Sequence, residues 1–138
     1  MMEYEYNING GDFSKAGFAS SSLKKALKQL NIPSKLIKRI VIALYEAEMN
    51  IVAHAYEGVI KVEITPEKIY INVKDKGPGI EDIQMAMEDG FSTASEEVRE
   101  MGFGAGMGLS NIKNNADDFE IVSTVNEGTE LKIVTKIS

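Results

Sequence analysis

The spacing of apolar and polar positions changes several times along the chain, and each change marks an element. Residues 2–8 (MEYEYNI) alternate, as a half-covered edge strand does, and Gly10-Gly11 closes the run. From Phe13 to Leu30 the spacing lengthens, with Leu23, Ala26, Leu27 and Leu30 three and four residues apart, which predicts a helix. Asn31 and Pro33 interrupt it, and Ser34 is placed to cap a longer helix over about 35–56. Alternation returns at 59–65 (VIKVEIT) and 68–75 (KIYINVKD), two runs joined by Pro66-Glu67 that predict a hairpin. After the loop Lys76-Gly77-Pro78-Gly79 comes a short predicted helix near 81–88. The stretch 90–108 has no period and holds five of the twelve glycines. A helix at about 108–116 and two strands, 118–124 and 129–136, joined through Asn126-Glu127-Gly128, complete the chain. Helices and hairpins are mixed and do not strictly alternate, which predicts a two-layer α/β sandwich on a mostly antiparallel sheet with helices on one face.

The second helix carries the most information. At about 100° per residue, Ile37, Ile40, Val41, Leu44, Ile51, Val52 and Ala55 share one broad apolar face. Ile42, Met49 and Ala53 add apolar surface on another side, so most of this helix is expected to be buried. Arg39, Glu46, Asn50 and His54 fall on one narrow stripe, the last three at successive i+4 positions. Burying a carboxylate, an amide and an imidazole in a row costs several kcal/mol, roughly, unless they have partners. The stripe therefore either faces water or forms a row of catalytic and metal-binding groups under a ligand. Glu48 lies near the middle of the apolar face, which calls for a partner charge or a subunit interface.

Composition narrows the class. The 138 residues suit a single domain spanning 1–138, and 43% hydrophobic with 26% charged residues describes an ordinary soluble globular chain. No apolar run approaches the roughly 18 residues needed to cross a bilayer, and MMEYEYNING, with two acids and no base, is not a signal peptide. Without cysteine there is neither disulfide nor thiolate metal site, which fits a cytoplasmic location. A net charge of -6 argues against general nucleic-acid binding, because a phosphate backbone needs a basic face.

Two glycine-rich segments follow the hairpin. Asp75 ends a strand and opens Asp75-x-Gly77-x-Gly79; a carboxylate there can accept from an exocyclic amine such as that of adenine, and the alternative is an ordinary tight turn. Further on, Gly102-Phe-Gly104-Ala-Gly106-Met107-Gly108-Leu109 opens a helix, where free N–H groups and the helix dipole suit phosphates. No Gly-Lys-Ser/Thr follows, so it is not a P-loop, and it sits outside any βαβ unit, so it is not a Rossmann fingerprint. A flexible linker is the other reading.

The order of these pieces is specific: Glu46-x-x-x-Asn50, Asp75-x-Gly77-x-Gly79, Gly104-x-Gly106-x-Gly108, then Gly128-Thr129. It resembles the N box, the glycine boxes and the terminal Gly-Thr of the GHKL (Bergerat-fold) ATPases over residues 13–136. The run from Glu46 to Tyr56 is similar to the free-standing anti-sigma-factor serine/threonine kinase branch, the RsbW- and RsbT-like proteins. Glu88-Asp89-Gly90-Phe91-Ser92-Thr93 is similar to the start of the lid in RsbT-like proteins. A histidine autokinase is disfavoured, because the only histidine, His54, lies inside the N box.

The resemblance implies a Mg-ATP site across residues 46–113. Asn50 would hold Mg²⁺ through its side-chain oxygen, Glu46 would be the general base, and His54 would either touch phosphate or hold the helix. Asp75 would bind the adenine amine with Thr129 in support, and Gly77, Gly79 and Ile80 would line that end. Gly104, Gly106, Met107, Gly108 and Leu109 would wrap the phosphates, with Thr93 in an ATP lid over about 90–108. Sporulation-type kinases carry an arginine where Gly104 stands here, which leaves Arg99 and Lys113 as candidates for the missing charge. The implied partner is a STAS-type antagonist and a sigma factor, with a homodimer as the assembly. Two further functions stay open: an ATP-gated module that sequesters a regulator without transfer, and an ATPase with no protein substrate.

Overall fold

The structure is a computed structural model that describes residues 2–80 and 108–138. The helix predicted near 81–88, most of the predicted lid, and with them Thr93, Arg99, Gly104, Gly106 and Met107 lie outside the described residues.

Among the described residues five strands form one sheet: β1 (Met2–Asn9), β2 (Glu57–Ile64), β3 (Lys68–Lys76), β4 (Asp118–Thr124) and β5 (Gly128–Lys136), in the order β1-β2-β3-β5-β4. Every neighbouring pair is antiparallel. The register puts Ile60 opposite Val73, Val62 opposite Ile71, and Ile71 opposite Ile133, so alternate residues of the central strands make one continuous apolar face. Tyr4 and Tyr6 of β1 extend that face by pairing with Val62 and Ile60. The β2–β3 turn is closed by Thr65, whose amide bonds the Lys68 carbonyl at 2.9 Å across Pro66-Glu67, as the hairpin reading requires.

Among the described residues three helices accompany the sheet: α1 (Phe18–Gln29), α2 (Ser34–His54) and α3 (Gly108–Asn114). α2 packs against α1 on one side and α3 on the other, and touches β1, β2, β3 and β5. Leu23, Leu27, Ile40, Leu44, Ile51, Ile60, Ile69, Ile112 and Ile133 are almost fully buried between the layers. Each such side chain contributes about 1.5–3 kcal/mol, so the core around α2 is the main source of stability.

The first helix departs from expectation. A short 3₁₀ turn at Phe13–Lys15 comes first, and α1 proper begins only after Gly17, whose φ of 90° breaks the helical path. Ser34 does not cap α2: Pro33 occupies the cap position, and its carbonyl accepts from Leu36 and Ile37 instead. α2 ends at His54, two residues earlier than predicted. Ala55 is extended, and the Tyr56 amide turns to the Lys76 carbonyl of β3 at 2.8 Å.

Glu48 meets neither of the expected partners. It is fully buried, and its carboxylate accepts the amides of Ala19 (3.0 Å) and Ser20 (3.2 Å) and the Ser20 hydroxyl (2.7 Å). Those amides belong to the first turn of α1, where N–H groups have no helical acceptor and a negative charge is favoured. The charge on α2 thus serves as the missing cap of α1 and joins the two helices.

Candidate functional site

The polar stripe of α2 lies where the helix emerges from the core. Glu46, Asn50 and His54 are each half-buried, flanked by the buried Ala47, Met49, Ile51 and Val52. Arg39, the fourth member of the predicted stripe, is turned elsewhere: its guanidinium donates to Asp117 at 3.5 Å, beside the start of β4.

α3 is seated on the middle of this stripe. A Cβ added to Gly108 would stand 3.1 Å from Asn50 Oδ1 and 3.5 Å from Glu46 Oε2, so the backbone here approaches the two side chains closely and a larger residue would make the Asn50 amide shift. Three residues on, Asn111 donates its side-chain amide to Glu46 Oε1 at 3.3 Å. Leu109 and Ile112 are buried and fix the helix to the core. Lys113 is exposed, and five residues beyond Gly108 it lies roughly 140° around α3, away from Glu46 and Asn50.

The other end of the site grows out of strand alternation. The helix-facing row of β3 runs Ile69, Ile71, Val73 and then Asp75; that of β5 runs Ile133, Leu131 and then Thr129; that of β4 runs Phe119, Ile121 and then Ser123. Three polar side chains thus reach the helix side of the sheet just where the apolar rows end. Asp75 Oδ1 accepts the Thr129 amide at 3.1 Å, and the Ser123 and Thr129 hydroxyls are 2.8 Å apart. Ser123 also accepts the Ile80 amide at 2.8 Å and donates to the Gly128 carbonyl at 3.2 Å. Burial pushes the Asp75 carboxyl up from its ordinary value, and the Thr129 amide partly offsets that. Burial likewise holds the His54 imidazole below its ordinary value, which favours the neutral ring.

The loop after β3 is sewn to the β4–β5 turn. Gly77 donates to the Glu127 carbonyl at 3.3 Å, and Asn126 donates to that of Pro78 at 2.8 Å. Side chains are barred from this seam. Gly79 (φ 75°) and Gly128 (φ 147°) each bring an absent Cβ into collision with backbone, the Thr124 carbonyl and the Asp75 carbonyl respectively. A Cβ on Gly77 would lie 3.0 Å from Ala55 Cα, so this loop also abuts the end of α2, one residue beyond His54.

The structure therefore joins Glu46, Asn50 and Gly108 at one end and Asp75, Gly77, Gly79, Ile80 and Thr129 at the other, with the last turn of α2 between them. Ser123 and Asn111 are constituents that the sequence reading missed. The signal for Ser123 is a small polar residue in a helix-facing strand position opposite Thr129. For Asn111 it is an amide three residues into the helix that the glycine run opens.

Comparison with known proteins agrees with this geometry. The model of the histidine kinase-like ATPase domain matches residues 15–135. The anti-sigma F factor of Thermoanaerobacter sp. (strain X514) is 35% identical over 144 aligned positions, covering 99% of this chain and 97% of that protein. The serine/threonine-protein kinase RsbT of Bacillus subtilis (strain 168) is 34% identical over 115 positions, covering 80% of each chain. The anti-sigma F factor of Anoxybacillus flavithermus is 28% identical over 88% of this chain and 84% of its own.

Proposed function

Because the chain belongs to the histidine kinase-like ATPase family, we propose that it is an ATP-binding serine/threonine protein kinase and anti-sigma regulator that phosphorylates a STAS-type antagonist protein. The observation that carries the proposal is the seating of Gly108 against Glu46 and Asn50, at the start of the helix that the glycine run opens. Phosphates placed there would lie at the N-terminal end of α3, with the Asn50 oxygen beside them to share a cation and the Glu46 carboxylate to take a proton.

The donor set fits magnesium. Asn50 Oδ1 and Glu46 Oε2 are hard oxygens on one side of Gly108, and among the described residues no cluster of three or more histidine, aspartate or glutamate side chains competes for an ion. Magnesium takes few protein ligands and keeps water and substrate phosphates for the rest, so Asn50 is assigned as its protein ligand. When bound, the metal supplies the positive charge that neutralises the phosphates. Asp75 accepts the exocyclic amine of adenine and is held by Thr129, while Gly77, Gly79 and Ile80 line that end. Gly104, Gly106, Met107, Gly108 and Leu109 approach the phosphates, with Thr93 in the lid and Arg99 as the source of positive charge, since the exposed Lys113 is turned away from Glu46 and Asn50. Glu46 takes the proton of the incoming serine or threonine hydroxyl as its oxygen bonds to the γ-phosphorus, and the bond to the β-phosphate oxygen breaks to release ADP.

A sigma factor is the second partner, a homodimer the working assembly, and the cytoplasm the place of action. Among the described residues no helix is long and apolar enough to cross a membrane. The outward placement of Lys113 favours one other reading, an ATP-gated module that sequesters its regulator without transfer. Incubation with γ-labelled ATP and a STAS-type protein separates the two. Label on a serine or threonine of the partner, lost in Glu46→Gln, supports the kinase; nucleotide-dependent complex formation without label overturns it in favour of sequestration.

A further inference from the structure

Glu46 sits on a half-buried stripe where an unrestrained carboxylate has several rotamers open to it, yet a base must meet its hydroxyl in one orientation. The site has a device for this. Asn111 Nδ2 donates to Glu46 Oε1 at 3.3 Å, while Oε2 lies on the Gly108 side, beside the Asn50 oxygen. The backbone that carries this donor is held in place. Asn115 donates both its side-chain amide (2.8 Å) and its backbone amide (3.2 Å) to the Asn111 carbonyl, closing the end of α3. The neighbours Leu109 and Ile112 anchor the helix in the core.

We propose that Asn111 is a positioning residue for phosphoryl transfer: it fixes Oε1 of Glu46 so that Oε2 alone is presented to the substrate hydroxyl, beside the metal ligand Asn50. This rests on the reading of Glu46 as the base. Asparagine suits the task because its amide offers N–H donors and stays neutral, so it orients the carboxylate without forming an ion pair that would compete with the metal. The short α3 thus links two functions, since its first residue makes room for the phosphate end and its fourth aims the base.

A double-mutant cycle on the full chain tests the assignment, with kcat for transfer to a STAS-type protein and the dissociation constant for Mg-ATP as readouts. Asn111→Leu, close in size but without the donor, should lower kcat about tenfold or more with ATP affinity within about twofold. Asn111→Asp, which sets a second carboxylate against Oε1, should lower it further. In a Glu46→Asp background, where a shorter carboxylate keeps residual transfer but falls short of Asn111 Nδ2, Asn111→Leu should lower kcat by less than about twofold more. The wild-type side-chain amide of Asn111 should also shift in a ¹⁵N spectrum on Glu46→Gln, a readout independent of any partner. Unchanged kcat in Asn111→Leu, additive losses in the cycle, or an unmoved amide resonance would each overturn the positioning role. If Glu46→Gln alone leaves transfer intact, the base assignment fails instead, and the two failures are distinct.

Discussion

Replacing Gly108 with alanine separates nucleotide chemistry from folding, because the two effects have opposite signs. The added Cβ would lie 3.1 Å from Asn50 Oδ1, 3.6 Å from Asn50 Nδ2 and 3.5 Å from Glu46 Oε2. Carbon–oxygen contacts settle at about 3.3–3.6 Å, so the Asn50 amide must retreat by roughly 0.3 Å. Metal–ligand distances tolerate about 0.2 Å, and magnesium demands near-octahedral geometry, so the shift is enough to disable the ligand. Alanine is meanwhile the better helix former, though at the first residue of α3 only part of the interior preference of about 0.5–1 kcal/mol applies. Relief of the close contact consumes part of that gain, leaving net stability within about 1 kcal/mol of wild type. Calorimetric titration and a thermal melt on the same preparations provide the assay. The melting temperature should move by only a few degrees, while the dissociation constant for Mg-ATP should rise at least about tenfold, or ~1.4 kcal/mol. Unchanged affinity would refute the placement of the metal between Asn50 and the phosphates; weakened affinity with a collapsed melt would refute the separation of site from core.

Other perturbations probe different parts of the structure. Glu48→Gln keeps the volume but puts an amide group where one of three donors to the buried carboxylate must lose its acceptor, so urea denaturation should show a loss of about 2–4 kcal/mol; a loss under 0.5 kcal/mol would dismiss the cap on α1. His54 titrates below its ordinary value of 6.5, so between the two values the unfolded chain binds the proton more readily. Stability should therefore fall as pH drops through the window just below 6.5, and His54→Gln should flatten that slope in thermal melts recorded across it. Asp75 is shifted the other way, and its proposed role as acceptor of the adenine amine is strongest in the ionised form. ATP affinity should decline on acidification above the ordinary carboxylate value of 3.8, and Asp75→Asn should abolish adenine selectivity in competition with GTP; retained selectivity would remove Asp75 from the adenine end. Ser123→Ala removes the acceptor of the Ile80 amide, and ATP affinity should drop about three- to tenfold without loss of fold by circular dichroism.

Much of this arrangement is written in local pattern. Alternation placed all five strands because each pays its apolar residues to one side only, and the 3.6-residue period placed α2 because its buried face is broad. What escaped depends on contacts distant in sequence. Glu48 reads as an anomaly until the first turn of α1, some thirty residues earlier, presents its free amides, roughly as orphan donors at any helix start do. The start of α2 and the helix expected over 13–30 differ for a local reason: Pro33 takes the cap position in place of Ser34, and Gly17 splits a continuous helical period. In the site, Glu46, Asn50 and Asp75 announce themselves as polar groups amid apolar rows. Asn111 and Ser123 do not, since their importance lies in which atoms they touch across the α2–α3 and β4–β5 contacts.

Titrating Mg-ATP into ¹⁵N-labelled protein and mapping the amide shifts tests whether one Mg-ATP site stretches from Asp75 to Glu46 along the last turns of α2. Saturable shifts are expected at Asp75, Gly77, Gly79, Ile80, Ser123 and Thr129 from the adenine, and at Glu46, Asn50, Gly108 and Asn111 from the phosphates and metal. Absence of saturable shifts, or shifts confined to the outer face of the sheet around Tyr70 and Lys132, would contradict it.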